Sequence, residues 1–205
     1  ADWSEIVPAL KMDKRIGEYS YINAGLGVSG GNLERDLTSV IELSKKYGTD
    51  CQVPKAWIAN SIYRKNWAYY NLLKLDAFDQ ASTRIAVLGL AYKENTDSIK
   101  NSPSLVLLDS LQNIEVIVYD PAVSAKSLGL KVKDANSALD AINGADVLAI
   151  MTPWPEFSEL SVKKIFETMR GKIVIDPYRI LNMSEAIELG LRYKTLGTSD
   201  SWQVN

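Results

Sequence analysis

The fold is decided by the stretch Arg84-Ile-Ala-Val-Leu-Gly-Leu-Ala-Tyr-Lys93, in which a short apolar run ends at a glycine. Such a run is typical of a buried strand, and a rhythm of strand and helix continues from it to the end of the chain. Strands are predicted at residues 84–88, 115–119, 147–151, 172–175 and 193–196, with helices at 103–111, 135–142, 162–169 and 184–189. Strands that alternate with helices predict a parallel sheet covered on both faces.

The part of the chain before this stretch has helical periodicity instead. Helices are predicted at residues 4–10, 36–47 and 53–75, and a glycine-rich loop at 24–32 separates the first two. We therefore predict an α/β protein in two parts. A helical region, residues 1–78, precedes a Rossmann-like parallel-sheet domain, residues 79–205, and a short polar linker at 76–82 joins them.

Composition excludes several classes of function. The chain has 205 residues, with 23 Lys and Arg against 25 Asp and Glu, so its net charge of −2 argues against a nucleic-acid partner. It contains no histidine, which removes imidazole bases and histidine metal sites. The single cysteine, Cys51, excludes an internal disulfide and multi-cysteine metal centres, so we expect no metal site and a reducing compartment.

The hydropathy and the N-terminal sequence of the chain indicate the cellular compartment in which the protein is expected. No apolar run approaches the roughly 20 residues that span a bilayer, and the N-terminus does not resemble a signal peptide. We expect a cytoplasmic protein with no membrane partner. Because the chain begins at Ala1 rather than at Met, we also expect it to be a piece of a longer protein.

Two glycine turns are candidate anion sites. Gly25-Leu-Gly27-Val-Ser-Gly30 matches the dinucleotide fingerprint, but helices follow it where a βαβ unit should, so a structural loop and a ligand-binding loop both stay open. Gly89 to Lys93 follows a predicted strand, where ligands of open α/β sheets bind. A structural turn and a nucleotide site explain that segment equally well.

Charged residues in loops and at element ends add chemistry without naming a reaction. On spacing alone, a solvated surface is the favoured explanation for each of them, and a binding role is the alternative. They are Asp13, Arg15, Asp36, Lys93, Asp97, Lys100, Asp176 and Arg179.

Five segments, in order, resemble motifs of the UDP-glucose/GDP-mannose 6-dehydrogenase family. They are Asp13-Lys-Arg15-Ile-Gly17, the loop Gly25–Asp36, Gly89-Leu-Ala-Tyr92-Lys93 continuing to Ser102-Pro103, Tyr119-Asp-Pro121, and Asp176-Pro-Tyr-Arg179. The third is the most specific. The resemblance implies the helical dimerisation domain and the C-terminal nucleotide-sugar-binding domain of that family, without the N-terminal domain that binds NAD.

The resemblance also assigns roles to residues. Lys100 stands where the family has an arginine that contacts NAD, and Arg15 would reach the substrate of a neighbouring subunit across a homodimer formed by the helix at 53–75. The residues that it places at the nucleotide sugar are Arg15, Tyr21, Gly25, Gly27, Gly30, Gly31, Tyr92, Lys93 and Arg179.

This sequence differs from the family at the position of the catalytic cysteine. Asn32 occupies its position, and an amide cannot act as the covalent nucleophile, whereas Asp36, part of the family's base system, is retained. The resemblance therefore implies that the full-length protein oxidises the C6 alcohol of a nucleotide sugar with NAD. A UDP-sugar is the expected substrate, and the synthesis of polysaccharide precursors is the expected pathway. This piece alone would be inactive. The alternatives are a non-catalytic nucleotide-sugar binder or regulatory partner, and a two-domain scaffold that binds no nucleotide.

Overall fold

The structure, a computed structural model, describes residues 2–78 and 82–198. Residues 79–81 of the predicted linker and the last seven residues of the predicted sheet domain lie outside the described part. The helices are α1 (Trp3–Lys11), α2 (Asn32–Tyr47), α3 (Gln52–Lys65), α4 (Trp67–Lys74), α5 (Pro103–Ser110), α6 (Ala138–Ile142), α7 (Pro155–Ser158), α8 (Val162–Thr168) and α9 (Met183–Glu188). The strands are β1 (Arg84–Leu88), β2 (Glu115–Tyr119), β3 (Lys133–Asp134), β4 (Val147–Ile150), β5 (Ile173–Ile175) and β6 (Arg192–Lys194).

The six strands form one parallel sheet, in the order β3-β2-β1-β4-β5-β6. The central strands β1 and β4 are almost wholly buried, as continuous apolar runs in a sheet covered on both faces should be. The strand order reverses between β1 and β4, where Leu88 pairs with Ile150. In doubly wound sheets, ligands bind in the crevice beyond the carboxyl ends of the strands at this switch point. The predicted α/β fold class is confirmed.

The hydrophobic core lies around the sheet and extends into the helical region. Ala68, Leu72 and Leu75, on or directly after α4, are at most 1% exposed and belong to the same buried cluster as β1 and β4. Leu26, from the glycine-rich loop, joins them. Burial of these side chains attaches the loop to the sheet domain.

Local capping explains where the sheet-domain helices begin. Ser102 accepts a hydrogen bond from the Ser104 N–H ahead of α5, and Pro103 supplies the first helical position. Ser161 and Asn182 cap α8 and α9 in the same way. These caps fix the first residues of α5, α8 and α9.

Several element boundaries differ from the prediction. The single helix predicted over 53–75 is wrong, because α3 ends at Lys65 and α4 begins at Trp67, with Asn66 between them donating from Nδ2 to the Ile62 carbonyl at 2.9 Å. Helix α2 begins at Asn32 rather than at residue 36, and the last strand ends at Lys194 rather than at 196. The two-residue β3 and the single turn α7 were not predicted, since both are too short to show a period.

Candidate active-site cleft

A cleft of about 1100 Å³ lies beyond the carboxyl ends of the strands. The sheet domain contributes residues 92–94 after β1, Pro153 after β4, residues 177–180 after β5, and residues 195–196 after β6. The opposite wall comes from the helical region, namely parts of α1, Tyr21 and residues 23–29. The cleft thus joins both predicted parts of the chain at the switch point of the sheet.

The second half of the glycine-rich loop is anchored by hydrogen bonds. The Val28 N–H donates to Ser61 Oγ at 2.9 Å, and the Gly30 N–H donates to the Lys100 carbonyl at 2.9 Å. Asn101 Nδ2 donates to the Gly30 carbonyl at 2.7 Å. Gly27 has φ of 90°, and a Cβ there would lie 2.7 Å from the Ser61 carbonyl oxygen, so only glycine fits.

Part of this loop keeps unused hydrogen-bond donors. Within the described residues, the N–H groups of Gly25, Gly27 and Ser29 have no acceptor, and all three residues line the cleft. Backbone N–H groups without partners inside the protein can donate to an anion such as a phosphate. Free donors at the cleft are what a ligand-binding loop requires, and that interpretation of the loop stays a prediction.

The turn after β1 is filled from within the protein. The N–H groups of Leu90 and Ala91 donate to Asp120 Oδ2 at 2.6 and 2.9 Å, and Trp154 Nε1 donates to the same oxygen at 3.1 Å. Gly89 has φ of 96°, and a Cβ there would overlap the Thr152 side chain. A carboxylate thus occupies the place where this turn could hold a phosphate, and the turn serves structure.

The residues that follow this turn face the cleft. The Tyr92 N–H donates to the Ser98 carbonyl at 2.9 Å, and the Tyr92 ring packs on the glycine loop, 3.1 Å from where a Cβ of Gly30 would lie. The Lys93 ammonium is 5.7 Å from the centre of the Tyr92 ring. Lys93 is exposed and lines the cleft, so its charge is available to an anionic ligand.

A buried carboxylate builds the turn that presents Arg179. Asp176 is fully buried and accepts hydrogen bonds from the Tyr193 hydroxyl at 2.6 Å and from the Leu181 N–H at 3.0 Å. Burial raises the pKa of the Asp176 carboxyl above its ordinary value, against the opposing effect of those donors. The turn brings Arg179 to the cleft with φ of 54°, a left-handed conformation.

Arg179 contacts the N-terminal end of α1 across the cleft. Its Nη1 donates to Asp2 Oδ2 at 2.9 Å and to Ser4 Oγ at 3.0 Å. Asp2 is also the N-cap of α1, and hydrogen bonds from Ser4, followed by those from Arg179, lower the pKa of Asp2 to about 2. Trp3 Nε1 donates to the Ile22 carbonyl at 2.7 Å, which attaches the same helix end to the segment that precedes the glycine loop.

The cleft brings together six of the predicted substrate-binding residues. These are Tyr21, Gly25, Gly27, Tyr92, Lys93 and Arg179. Gly30 and Gly31 instead pack against Tyr92 and the Lys100 side chain. Arg15 is exposed and pairs with Asp13 at 2.6 Å, outside the cleft of its own chain.

The predicted catalytic pair lies on the exposed start of α2. Asn32 is the first residue of that helix, and Asp36 pairs with Arg35 at 2.8 Å. Neither residue lines the cleft. Their roles stay predictions.

Sequence reasoning missed the contribution of α1. Asp2, Trp3 and Ser4 all line the cleft, and Glu94 and Tyr178 line it beside the predicted residues. The Asp2-Trp-Ser4 sequence does carry the signal of a helix N-cap. Its contact with Arg179, 177 residues away, has no signal in a single sequence.

NAD, the cofactor implied by the resemblance, does not fit either glycine turn. The turn after β1 is occupied by Asp120, and the glycine-rich loop precedes β1, the first strand in the described residues, so it does not follow a strand. Lys100 lies with its side chain against Gly31. No group of three His, Cys, Asp or Glu side chains in the described ranges is placed to hold a metal ion, and none of the helices described is long and apolar enough to cross a membrane.

The parallel sheet order and the cleft at its switch point define a doubly wound, Rossmann-like protein. Residues 86–183 match the UDP binding domain of the UDP-glucose/GDP-mannose dehydrogenase family, and residues 1–61 match the central domain of that family. The chain belongs to the UDP-glucose/GDP-mannose dehydrogenase family.

Individual relatives agree with this assignment. A UDP-glucose 6-dehydrogenase of Rickettsia conorii is 31% identical over 193 residues, which cover 91% of this chain and 44% of the relative. The UDP-glucose 6-dehydrogenase AglM of Haloferax volcanii is 32% identical over 200 residues, covering 95% of this chain and 44% of that protein. The chain thus spans less than half the length of these relatives.

Solved structures show the same fold. A UDP-D-ManNAc dehydrogenase from Pyrococcus horikoshii superposes with a TM-score of 0.76 at 26% identity, over 96% of this chain and 44% of the other. A UDP-glucose dehydrogenase from Pyrobaculum islandicum has a TM-score of 0.75 at 26% identity, over 93% of this chain and 42% of the other. The predicted family is confirmed.

Proposed function

We propose that this chain supplies the nucleotide-sugar-binding half of a nucleotide-sugar 6-dehydrogenase, with a UDP-sugar as substrate. The observation that supports this most directly is the cleft, where free N–H groups of the glycine loop, the Lys93 ammonium and the Arg179 guanidinium meet. Such donors are the kind that hold a diphosphate. The matched UDP binding domain and the UDP-glucose 6-dehydrogenases among the relatives point to the same ligand.

The cleft suggests how the parts of the ligand divide between its walls. The diphosphate would lie along Gly25 and Gly27, with Lys93 and Arg179 neutralising its charge. The exposed ring of Tyr21, which lines the cleft, would contact the base. In this proposal, Gly30 and Gly31 would contact only the sugar. Arg15, which is paired with Asp13, would contact the ligand of a second subunit.

The proposal extends to NAD-dependent oxidation of the sugar C6 alcohol by the full-length protein. NAD would accept the hydride, and its binding would come from parts of the protein beyond this chain, with Lys100 beside it. Asp36 would serve the base system. The resemblance to the family supports NAD use, a place in polysaccharide-precursor synthesis and a cytoplasmic location.

A second candidate function rests on Asn32. By resemblance this residue stands at the position of the nucleophilic cysteine, and an amide cannot form the thiohemiacetal that holds the aldehyde. A protein that binds the nucleotide sugar without completing its oxidation would keep the cleft and lose this residue. The matched-domain assignment is the same for both functions, so turnover must be measured.

Binding is tested first, by calorimetric titration of the chain with UDP, UDP-glucose and GDP. Lys93→Ala should weaken UDP-glucose binding by about 1–3 kcal/mol, the size of a charge-assisted hydrogen bond. Lys163→Ala, which removes an exposed lysine of α8 outside the cleft, is the matched control and should bind normally. Equal affinity of the two variants would remove Lys93 from the site, and no binding by the wild type would overturn the proposed function.

Turnover is tested on the full-length protein by counting NADH formed per nucleotide sugar consumed. Two NADH per sugar would mean oxidation to the acid without the cysteine, through a hydrated aldehyde. One NADH would mean release of the aldehyde. Binding with no NADH would select the non-catalytic function.

A further inference from the structure

We propose that Asp2 competes with the diphosphate of the nucleotide for Arg179, and so sets the affinity of the cleft for anionic ligands. The inference rests on the proposed function, because it requires that the cleft bind a nucleotide. It concerns the N-cap residue of α1, to which the family resemblance assigned no role.

The contact between Asp2 and Arg179 crosses the cleft. Asp2 belongs to the helical region and Arg179 to the turn after β5, and both line the cavity. The Arg179 Nη1 to Asp2 Oδ2 distance is 2.9 Å, and the side chains are 27% and 25% exposed. A partly shielded pair of this kind is screened less by water than a pair on the open surface.

Asp2 is held firmly in its place by α1. Its Oδ1 accepts hydrogen bonds from the Ser4 N–H at 2.9 Å and from Ser4 Oγ at 2.7 Å, which leaves Oδ2 directed to Arg179. Ser4 Oγ in turn accepts from the same Arg179 nitrogen. The low pKa of Asp2 keeps this carboxylate ionised at neutral pH.

The charge of the cleft shows what this carboxylate does. Among the residues that the structure describes, four charged side chains line it, the cations Lys93 and Arg179 and the anions Asp2 and Glu94, so the sum of their formal charges is zero. A cavity whose charges sum to zero attracts a diphosphate less strongly than one with a positive sum. Once Asp2 is neutralised or displaced, the sum becomes +1 and Arg179 can turn its charge to the ligand.

Arg179 retains donors through which exchange can begin. Within the described part of the chain, its Nε and Nη2 make no hydrogen bond. A phosphate can therefore bind those two groups while Nη1 is still on Asp2, and then replace the carboxylate. The guanidinium fork suits bidentate contact with a phosphate, which a single carboxylate contact does not match.

The test is the affinity of Asp2→Asn for UDP, UMP and uridine, measured by calorimetry at low salt. Asparagine also caps helices, so the variant keeps α1 and removes only the charge. We expect UDP to bind about three- to tenfold more tightly, UMP to gain less, and uridine to bind as in the wild type, because the gain follows ligand charge. Asp2→Ser, another good N-cap, should behave in the same way, and thermal unfolding checks that both variants fold.

Glu5→Gln is the matched control. Glu5 lies in the first turn of the same helix, is exposed and does not line the cleft, so its loss changes net charge equally without freeing Arg179. In a protein that already carries Arg179→Gln, Asp2→Asn should increase UDP affinity by at most half as much as it does in the wild type, because the effect passes through Arg179.

The outcomes separate this inference from the proposed function. If Asp2→Asn binds UDP no more tightly than Glu5→Gln does, Asp2 does not compete with the ligand. Asp2 then only positions the Arg179 side chain. An equally large increase in UDP affinity when Arg179 is replaced by Gln would overturn the competition as well. Failure of UDP to bind the wild type and every variant overturns the proposed function together with the inference.

Discussion

At the scale of single residues, carboxylates rather than basic residues determine the shape of this cleft. Asp176 builds the turn that presents Arg179, Asp120 fills the turn after β1, and Asp2 meets Arg179 from the other wall. Each accepts several hydrogen bonds. Because an ionised carboxylate is a strong acceptor, it can organise loop N–H groups that would otherwise lose their water.

The Asp2 carboxyl gives the pH dependence of the α1 contact. Its pKa falls from the ordinary 3.8 to about 2, so the contact stabilises the fold fully above pH 3.8 and the stabilisation is lost as the pH falls through about 2. We expect Ser4→Ala to raise this pKa more than Arg179→Gln, because the Ser4 side chain is the larger cause of the shift. Carboxyl-carbon NMR titration measures it, with Asp13, whose own partner is Arg15, as the unchanged reference. An Asp2 pKa that both substitutions leave at about 2 would contradict this account.

Alanine substitutions at Gly89 and Gly129 distinguish two causes of destabilisation, backbone strain and lack of space for a Cβ. Both have positive φ, but a Cβ at Gly89 would overlap Thr152, whereas a Cβ at Gly129 would meet no atom within 4 Å. We expect Gly129→Ala to lower the free energy of unfolding by about 1 kcal/mol and Gly89→Ala by about 3 kcal/mol or more. Urea unfolding measures both. Equal costs would show that the turn after β1 has room to adjust.

At the scale of elements, α4 is the joint between the two parts of the chain. The break at Asn66 lets α4 turn away from α3, and α4 packs against the sheet while α3 buries only Ser61 and Lys65. The predicted boundary near residue 78 therefore lies after a helix whose buried face already belongs to the core of the sheet domain.

Two neighbouring leucines of α4 test this assignment. Leu72 is fully buried and Leu73 is 47% exposed. Leu72→Ala should lower the free energy of unfolding by about 2–5 kcal/mol, since it opens a cavity in the core, whereas Leu73→Ala should cost less than about 1 kcal/mol. Denaturant unfolding followed by circular dichroism compares the two, and a small cost for Leu72→Ala would mean that α4 is not part of this core.

At the scale of the whole molecule, apolar exposure is concentrated in the helical region. Val53, Trp57, Ile62 and Tyr63 of α3 are each more than half exposed. Exposed apolar side chains are common where subunits meet, and we propose that this region forms the homodimer expected from the sequence. In such a dimer, Arg15 of one chain could approach the cleft of the other.

Light scattering at micromolar concentration tests the dimer. The wild type should have twice the mass of the chain, and Trp57→Glu should be a monomer, because a buried unpaired charge would oppose association. Ile187→Glu introduces the same charge at an exposed apolar residue of α9, outside the helical region, and should stay dimeric. A monomeric wild type would count against the interface.

Much of this architecture could be predicted from local pattern. The central strands β1 and β4 are buried apolar runs, and their alternation with helices predicted the parallel sheet within a residue or two of its bounds. The family resemblance likewise named six residues that the cleft brings together. The break at Asn66 and the two-residue β3 were missed, because single residues and very short elements carry too little periodicity.

The sequence by itself determined the α/β class and the family, because hydrophobic period and motif residues are local properties of a chain. The family resemblance then named candidate residues for a nucleotide site. Only the tertiary structure decided how those residues are used. It placed Asp120 in the turn after β1, α4 in the core of the sheet domain, and Asp2 on Arg179. These are contacts between groups far apart in sequence, and they form because folding withdraws water from each group and the nearest partner in space must replace it.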